Sequence, residues 1–169
     1  MASDSLQAFN AATHQQSMDL LLGCASVPRW AAEIGAGRPY ADVEQALEAA
    51  RHAASPWTED EIDSALGGHP RIGERAGGEP GARAAQHSQA EQSGVDTSDD
   101  DVAHRLARGN RAYEERFGHV FLIRAAGRSA SEILESLEQR LTHDPQTERR
   151  IAAQQLREIA VLRLQGELT

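Results

Sequence analysis

Apolar side chains recur at spacings of three and four along almost all of this chain, and strict apolar–polar alternation is nearly absent. A helical repeat gathers such positions on one face, whereas a half-buried strand needs a period of two. The pattern therefore predicts an all-α fold. Hydrophobic residues make up 40% of the sequence but aromatics only 4%, so the core must be built from Ala, Leu, Ile and Val, which again suits helices. A chain of 169 residues fills one hydrophobic core. The expected organisation is a compact single-domain multi-helix bundle over residues 1–169.

Capping and breaking signals divide the chain. A first helical region covers residues 3–24, with a break allowed around Asn10 to Thr13, and a short helix follows from Pro28 to Gly35. The stretch Asp42 to Ser55 carries Val43, Ala46, Leu47, Ala50 and Ala54 on one side and ends before Pro56. Thr58 with Glu61 reads as a capping box opening a helix that stops at Gly67-Gly68. From there to Gln86, glycines and prolines mark a loop too long to be a plain connection. A helix over residues 99–117 ends at Gly118. His119 to Ile123 is the one short, partly β-branched run, expected to be extended or irregular. Ser129 and Glu132 start a helix to Thr142, and Asp144 with Pro145 opens the last one.

Composition excludes several classes of function. The formal charge is −9, which argues against a nucleic-acid footprint. Every basic residue is Arg, so lysine Schiff-base catalysis is excluded. A lone Cys24 allows no internal disulfide and, after Leu20-Leu21-Leu22-Gly23, reads as a buried thiol. With no long apolar run, the expectation is a cytoplasmic protein without membrane contact.

Chemistry concentrates around His69-Pro70-Arg71-Ile72-Gly73. A residue before proline is pushed out of helical geometry, so His69 should occupy a fixed backbone corner just past a helix end. Its ordinary pKa near 6.5 suits proton transfer at neutral pH. Ser88, Glu91 and Gln92 share one helical face. Ser88-x-x-Glu91 is also the pattern of a capping box, and a helix start would favour an anionic ligand. In the last helix, Leu156, Ile159 and Ala160 form an apolar stripe that places Arg163 inward. It either snorkels to the rim or pairs with a carboxylate through two parallel hydrogen bonds. His14, His52, His104 and His143 read as solvated, and Asp99-Asp100-Asp101 as a favourable helix start. No grouping has zinc-ligand spacing, so no metal is expected, and no phosphate-binding or dinucleotide fingerprint is present.

These residues, with Asn110-x-x-Tyr113-x-x-x-Phe117-Gly118, Phe121-Leu122-Ile123, Arg140 and Ile159-x-x-Leu162-Arg163-Leu164, occur in an order and spacing that resembles the 2-oxo-4-hydroxy-4-carboxy-5-ureidoimidazoline (OHCU) decarboxylases of uric acid breakdown. The likeness runs from about Phe9 to Leu164. It implies an all-helical fold and a decarboxylation without cofactor that yields (S)-allantoin from a small anionic substrate, in a homodimer. It further implies that His69 is the catalytic acid/base and that Glu91 and Arg163 are the charged members of the site. Pro70, the segment Ser88, Gln89, Ala90, Glu91, Gln92 and the segment Phe121, Leu122, Ile123, Arg124, Ala125 would form the substrate cradle, the last largely through backbone groups. His119-Val120 and Arg124 depart from the Phe-Pro pair and the small residue common at these places. Two other functions fit the residues alone: hydrolysis or isomerisation of a related ureide by His69 and Glu91, and an acidic helical interaction module.

Overall fold

The computed structural model describes residues 2–73 and 82–169. Among them it contains nine helices and no strand: α1 (Asp4–Ala11), α2 (His14–Cys24), α3 (Pro28–Ala36), α4 (Val43–His52), α5 (Glu59–Gly67), α6 (Ala82–Glu91), α7 (Asp100–Phe117), α8 (Ala130–Arg140) and α9 (Pro145–Leu168). The all-α expectation holds, and no described helix is long and apolar enough to cross a membrane. The chain divides into two compact units, residues 1–65 with 157–169, and residues 66–156.

The first unit is built from α1 to α4, most of α5 and the end of α9. The break allowed after Asn10 is real, because Thr13 and Gln16 form a reciprocal capping box that starts α2 afresh. Trp30 is fully buried, donates from Nε1 to the Ala50 carbonyl at 2.9 Å, and meets Trp57 edge-on at 6.4 Å. Helix α4 ends at His52, three residues short of the predicted Ser55. The chain leaves it through Ala54, which sits at φ 48, a left-handed conformation that costs a residue with a Cβ. Side chains hold this turn. Arg157 donates to the carbonyls of Ala50, Arg51, Ala53 and Ala54, and Glu33 accepts from the Ala54 amide. A cation on the last carbonyls of α4 also opposes the negative end of its dipole. The predicted box at Thr58 is present, Glu61 Oε1 accepting from Thr58 N and Thr58 Oγ1 from Glu61 N.

The second unit contains α6, α7, α8, the first half of α9 and the irregular stretch before α8. Its core joins Ile72, Leu106, Tyr113, Phe121, Ile123, Ile133, Leu134 and Leu137. Helix α7 packs against α8 where Gly109 faces Leu137, and a Cβ on Gly109 would stand 2.5 Å from Leu137 Cδ2. Leu137 is fully buried, so it can give way only by displacing its core neighbours. Gly109→Ala should therefore lose more to overpacking, about 1–3 kcal/mol, than the roughly 1 kcal/mol that alanine adds to helix propensity. Urea unfolding of this variant is expected to show a lowered midpoint with an unchanged slope.

A second predicted boundary is corrected. The glycine-rich loop does not reach Gln86, because α6 is already helical from Ala82. The run Ala82-Arg83-Ala84-Ala85-Gln86 is made of strong helix formers, which override the loop signal of the preceding glycines. The glycine-rich residues 74–81, also part of the expected loop, lie outside the described residues.

Candidate active site

His69 follows the end of α5, with its amide donating to the Leu66 carbonyl at 3.1 Å, and both it and Pro70 are half-buried. The three residues after Pro70 are tied down in several ways. Ile72 is buried in the core of the second unit, and its carbonyl accepts from Asn110 Nδ2 at 3.0 Å. Gln92 Oε1 accepts from the Gly73 amide at 3.1 Å, and Gln92 Nε2 donates to the Arg71 carbonyl at 3.5 Å. Arg71 Nε bonds Glu114 Oε1 at 2.7 Å. Gly73 sits at φ 90, a conformation open to glycine and strained for other residues. A cleft of about 390 Å³ opens against this segment, between Arg71, Ile72, Gly73 and Thr97 and the α7 side chains Leu106, Asn110, Arg111 and Glu114.

Ser88 and Glu91 do share α6, but at its end and not at its start. Ser88 is buried, Glu91 is the last helical residue, and Gln92 N donates to the Ser88 carbonyl. The capping-box alternative is thereby overturned, and with it the idea of a free helix N-terminus at Ser88, since the helix begins six residues earlier. Gln89 and Ala90 are exposed. Gln92 spends both ends of its amide on the backbone of residues 71 and 73.

The stretch Phe121 to Ala125 carries no regular secondary structure, in line with the irregular alternative expected for His119 to Ile123, and all but Arg124 are buried. Arg140 Nη1 donates to the Leu122 carbonyl at 2.5 Å, and Gln155 Oε1 accepts from the Arg124 amide at 2.8 Å. Arg124 Nε is itself buried and meets no hydrogen-bond partner among the described residues. His119, in place of the expected Phe, stacks its ring edge-on to Tyr113 at 5.5 Å.

Arg163, in the first unit, is 6% exposed and donates from Nη1 to the Cys24 carbonyl at 3.3 Å. It does not snorkel to solvent. Leu156, Ile159 and Ala160 are buried as the stripe predicts, and the Cys24 thiol is buried, its Sγ directed at the Leu20 carbonyl.

Three polar residues were missed. Asn110 stands out in the sequence only as part of a motif, yet its amide holds the Ile72 carbonyl. Glu148 is fully buried and collects Tyr113, Arg140 and His143. It lies four residues before Ala152 and eight before Leu156, on the face of α9 that flagged Arg163, so the same stripe could have found it. His143, a loop position expected to be solvated, is half-exposed, and its Nδ1 also lies 3.2 Å from the buried carboxylate, because the turn after α8 carries it to the start of α9. Among the described residues no three His, Cys, Asp or Glu side chains gather as they would around a metal ion.

Comparison with known proteins places this geometry in context. The family model for OHCU decarboxylase matches residues 10–165. A 2-oxo-4-hydroxy-4-carboxy-5-ureidoimidazoline decarboxylase of Haloferax volcanii is 31% identical over 136 residues, covering 80% of this chain and 79% of that protein. One from Amia calva is 30% identical, covering 82% and 79%. A crystal structure of an OHCU decarboxylase in the presence of (S)-allantoin superimposes with a TM-score of 0.67 over 90% of this chain and 96% of that one, at 23% identity, which extends the likeness to the fold.

Proposed function

This chain belongs to the OHCU decarboxylase family, and we propose from that membership that it decarboxylates 2-oxo-4-hydroxy-4-carboxy-5-ureidoimidazoline to (S)-allantoin and carbon dioxide in uric acid degradation. It is an enzyme of the carboxy-lyase class. The observation that carries the proposal is the match over residues 10–165, which spans all the candidate site residues from His69 to Arg163. The braced segment after His69 supports it, since an acid/base group must be held within hydrogen-bond reach of the atom it serves.

The chemistry follows from the substrate. When the bond to the carboxylate breaks, its electron pair is left on the ring carbon that also bears the hydroxyl. The adjacent C=N bond of the substrate accepts that pair, so the electron sink a cofactor would otherwise supply is already in the ring. In this proposal His69 takes the hydroxyl proton as the carbonyl forms, with Glu91 orienting the imidazole. The ring nitrogen that received the electron pair and the carbon bearing the ureido group then each gain a proton, one being the hydroxyl proton passed on by His69 and the other replacing the lost carbon dioxide; the proton on carbon sets the configuration. Arg163 binds the anionic substrate, and Pro70, Ser88 to Gln92 and Phe121 to Ala125 line the cradle. Gln92 also acts on His69 indirectly through the backbone of residues 71 and 73. The proposal takes residues 1–169 as one catalytic domain, in a cytoplasmic homodimer.

Freshly generated substrate tests it. Carbon dioxide release with optically pure (S)-allantoin is the expected result. Ring opening without gas would favour a ureide hydrolase, and racemic allantoin at the uncatalysed rate would leave no enzymatic step. A second expectation concerns Arg163→Met, which keeps the apolar stem and removes the guanidinium fork. Losing a charge-assisted bond to the substrate, about 1.5–3 kcal/mol, should raise KM roughly 10- to 100-fold. Wild-type kinetics in this variant would remove Arg163 from the site.

A further inference from the structure

The stretch Phe121 to Ala125 has no neighbouring strand among the described residues, so side chains have to satisfy its peptide groups. The Leu122 carbonyl takes the guanidinium of Arg140, which is 7% exposed and lies 4.7 Å from the centre of the Phe121 ring. Behind Arg140 stands Glu148, with no exposure at all. Its Oε1 accepts from Arg140 Nε at 2.6 Å and from the Tyr113 hydroxyl at 2.5 Å, and also pairs with Arg140 Nη2. Its Oε2 faces His143 Nδ1. Burial, and then the bond to Glu148, pushes the Tyr113 phenol above its ordinary range, which keeps it a donor to the carboxylate.

Stability is a poor explanation for such a cluster. Removing two full charges from water offsets most of their attraction, and an apolar set of similar volume commonly serves a core as well or better. What the apolar set could not do is hold a carbonyl. The guanidinium can, because its rigid fork reaches a carboxylate on one side and the Leu122 oxygen on another at fixed angles. We propose that Arg140, locked by Glu148 and Tyr113, is a positioning residue for the decarboxylation: it sets the plane of the Leu122 peptide and so the direction of the backbone groups that cradle the substrate. The inference rests on the proposed function of this segment. With the peptide plane fixed, one face of the substrate is presented to the proton; with it loose, both are.

The test uses the full-length protein. In the triple variant Tyr113→Phe, Arg140→Met, Glu148→Leu, the charges and the hydroxyl leave together, so no buried charge is stranded. It should fold, with a melting temperature lowered only by the Leu122 carbonyl left without its donor, raise KM at least 10-fold, lower the enantiomeric excess of the allantoin formed, and speed amide exchange at Ile123 and Arg124. Wild-type KM and enantiomeric purity in this variant overturn the proposal. Arg140→Lys covers the case in which the triple variant does not fold. A single ammonium can meet Glu148 but cannot span both acceptors, so the same changes are expected on a smaller scale, and wild-type kinetics with wild-type exchange again overturn it. If the wild-type protein makes no allantoin, the functional assignment fails, while the exchange data still decide whether Arg140 holds the segment.

Discussion

Replacing His69 with Ala is expected to lower the rate of decarboxylation by about 10²- to 10⁴-fold, the contribution typical of a positioned acid/base group, while the melting curve stays where it is. The second half of the expectation comes from how the segment is held. Its ties are the Ile72 carbonyl on Asn110, the Arg71 carbonyl and Gly73 amide on Gln92, and the Arg71 side chain on Glu114. The His69 amide adds its bond to Leu66, which alanine retains. The imidazole itself is only half-buried, so its removal leaves no large void in the core. Steady-state rates on fresh substrate, read together with the optical purity of the product, measure the first half; differential scanning calorimetry measures the second. Undiminished turnover would remove His69 from the chemistry. Loss of folding with loss of activity would instead mark it as a structural residue and favour the acidic interaction module.

Glu148→Ala should produce the largest loss of stability, about 3–5 kcal/mol. The variant strands the Arg140 guanidinium, 7% exposed, without its counter-charge and takes the acceptor from a buried Tyr113 hydroxyl. The Arg140→Met, Glu148→Leu pair of changes removes both charges and should recover much of that loss, because the penalty belongs to the unpaired ion and not to the missing pair. Urea unfolding of the single and double variants forms the measurement. A single variant within about 1 kcal/mol of wild type, the range of an exposed ion pair, would show that the cluster is open to water in solution.

The helices were largely legible because their signals are local. Thr58 and Glu61 sit three residues apart on the chain and cap each other in the structure, and the Asp99 carboxylate accepts from the Asp101 amide at the start of α7 as its position suggested. Gly118 closes α7 in the left-handed conformation at φ 78. The errors arose where a local signal met a stronger neighbour. Ser88-x-x-Glu91 is a valid capping pattern, but the alanine-rich turn before it had already started the helix. The apolar register of α4 continues to Ala54 and so predicts a helix to Ser55, whereas Arg157, more than a hundred residues later, captures the carbonyls at the end of α4.

The candidate site divides in the same way. His69 stood out through Pro70, a covalent neighbour, and Arg163 through the stripe of its own helix; both are one-dimensional facts. The partners of Ile72, Leu122 and Arg140 are not. Asn110 reaches a carbonyl 38 positions away, and Arg140 one 18 positions away, and nothing in the spacing of either residue names the peptide it will hold. By itself the sequence determined that the chain is helical, where most helices begin and end, and which imidazole and guanidinium to suspect, because periodicity and capping act within a turn or two. Only the tertiary structure decided which buried polar groups fix the backbone around them, because a peptide without a regular hydrogen-bonded neighbour takes whatever donor packing brings within 3 Å, and packing joins residues that the sequence keeps far apart.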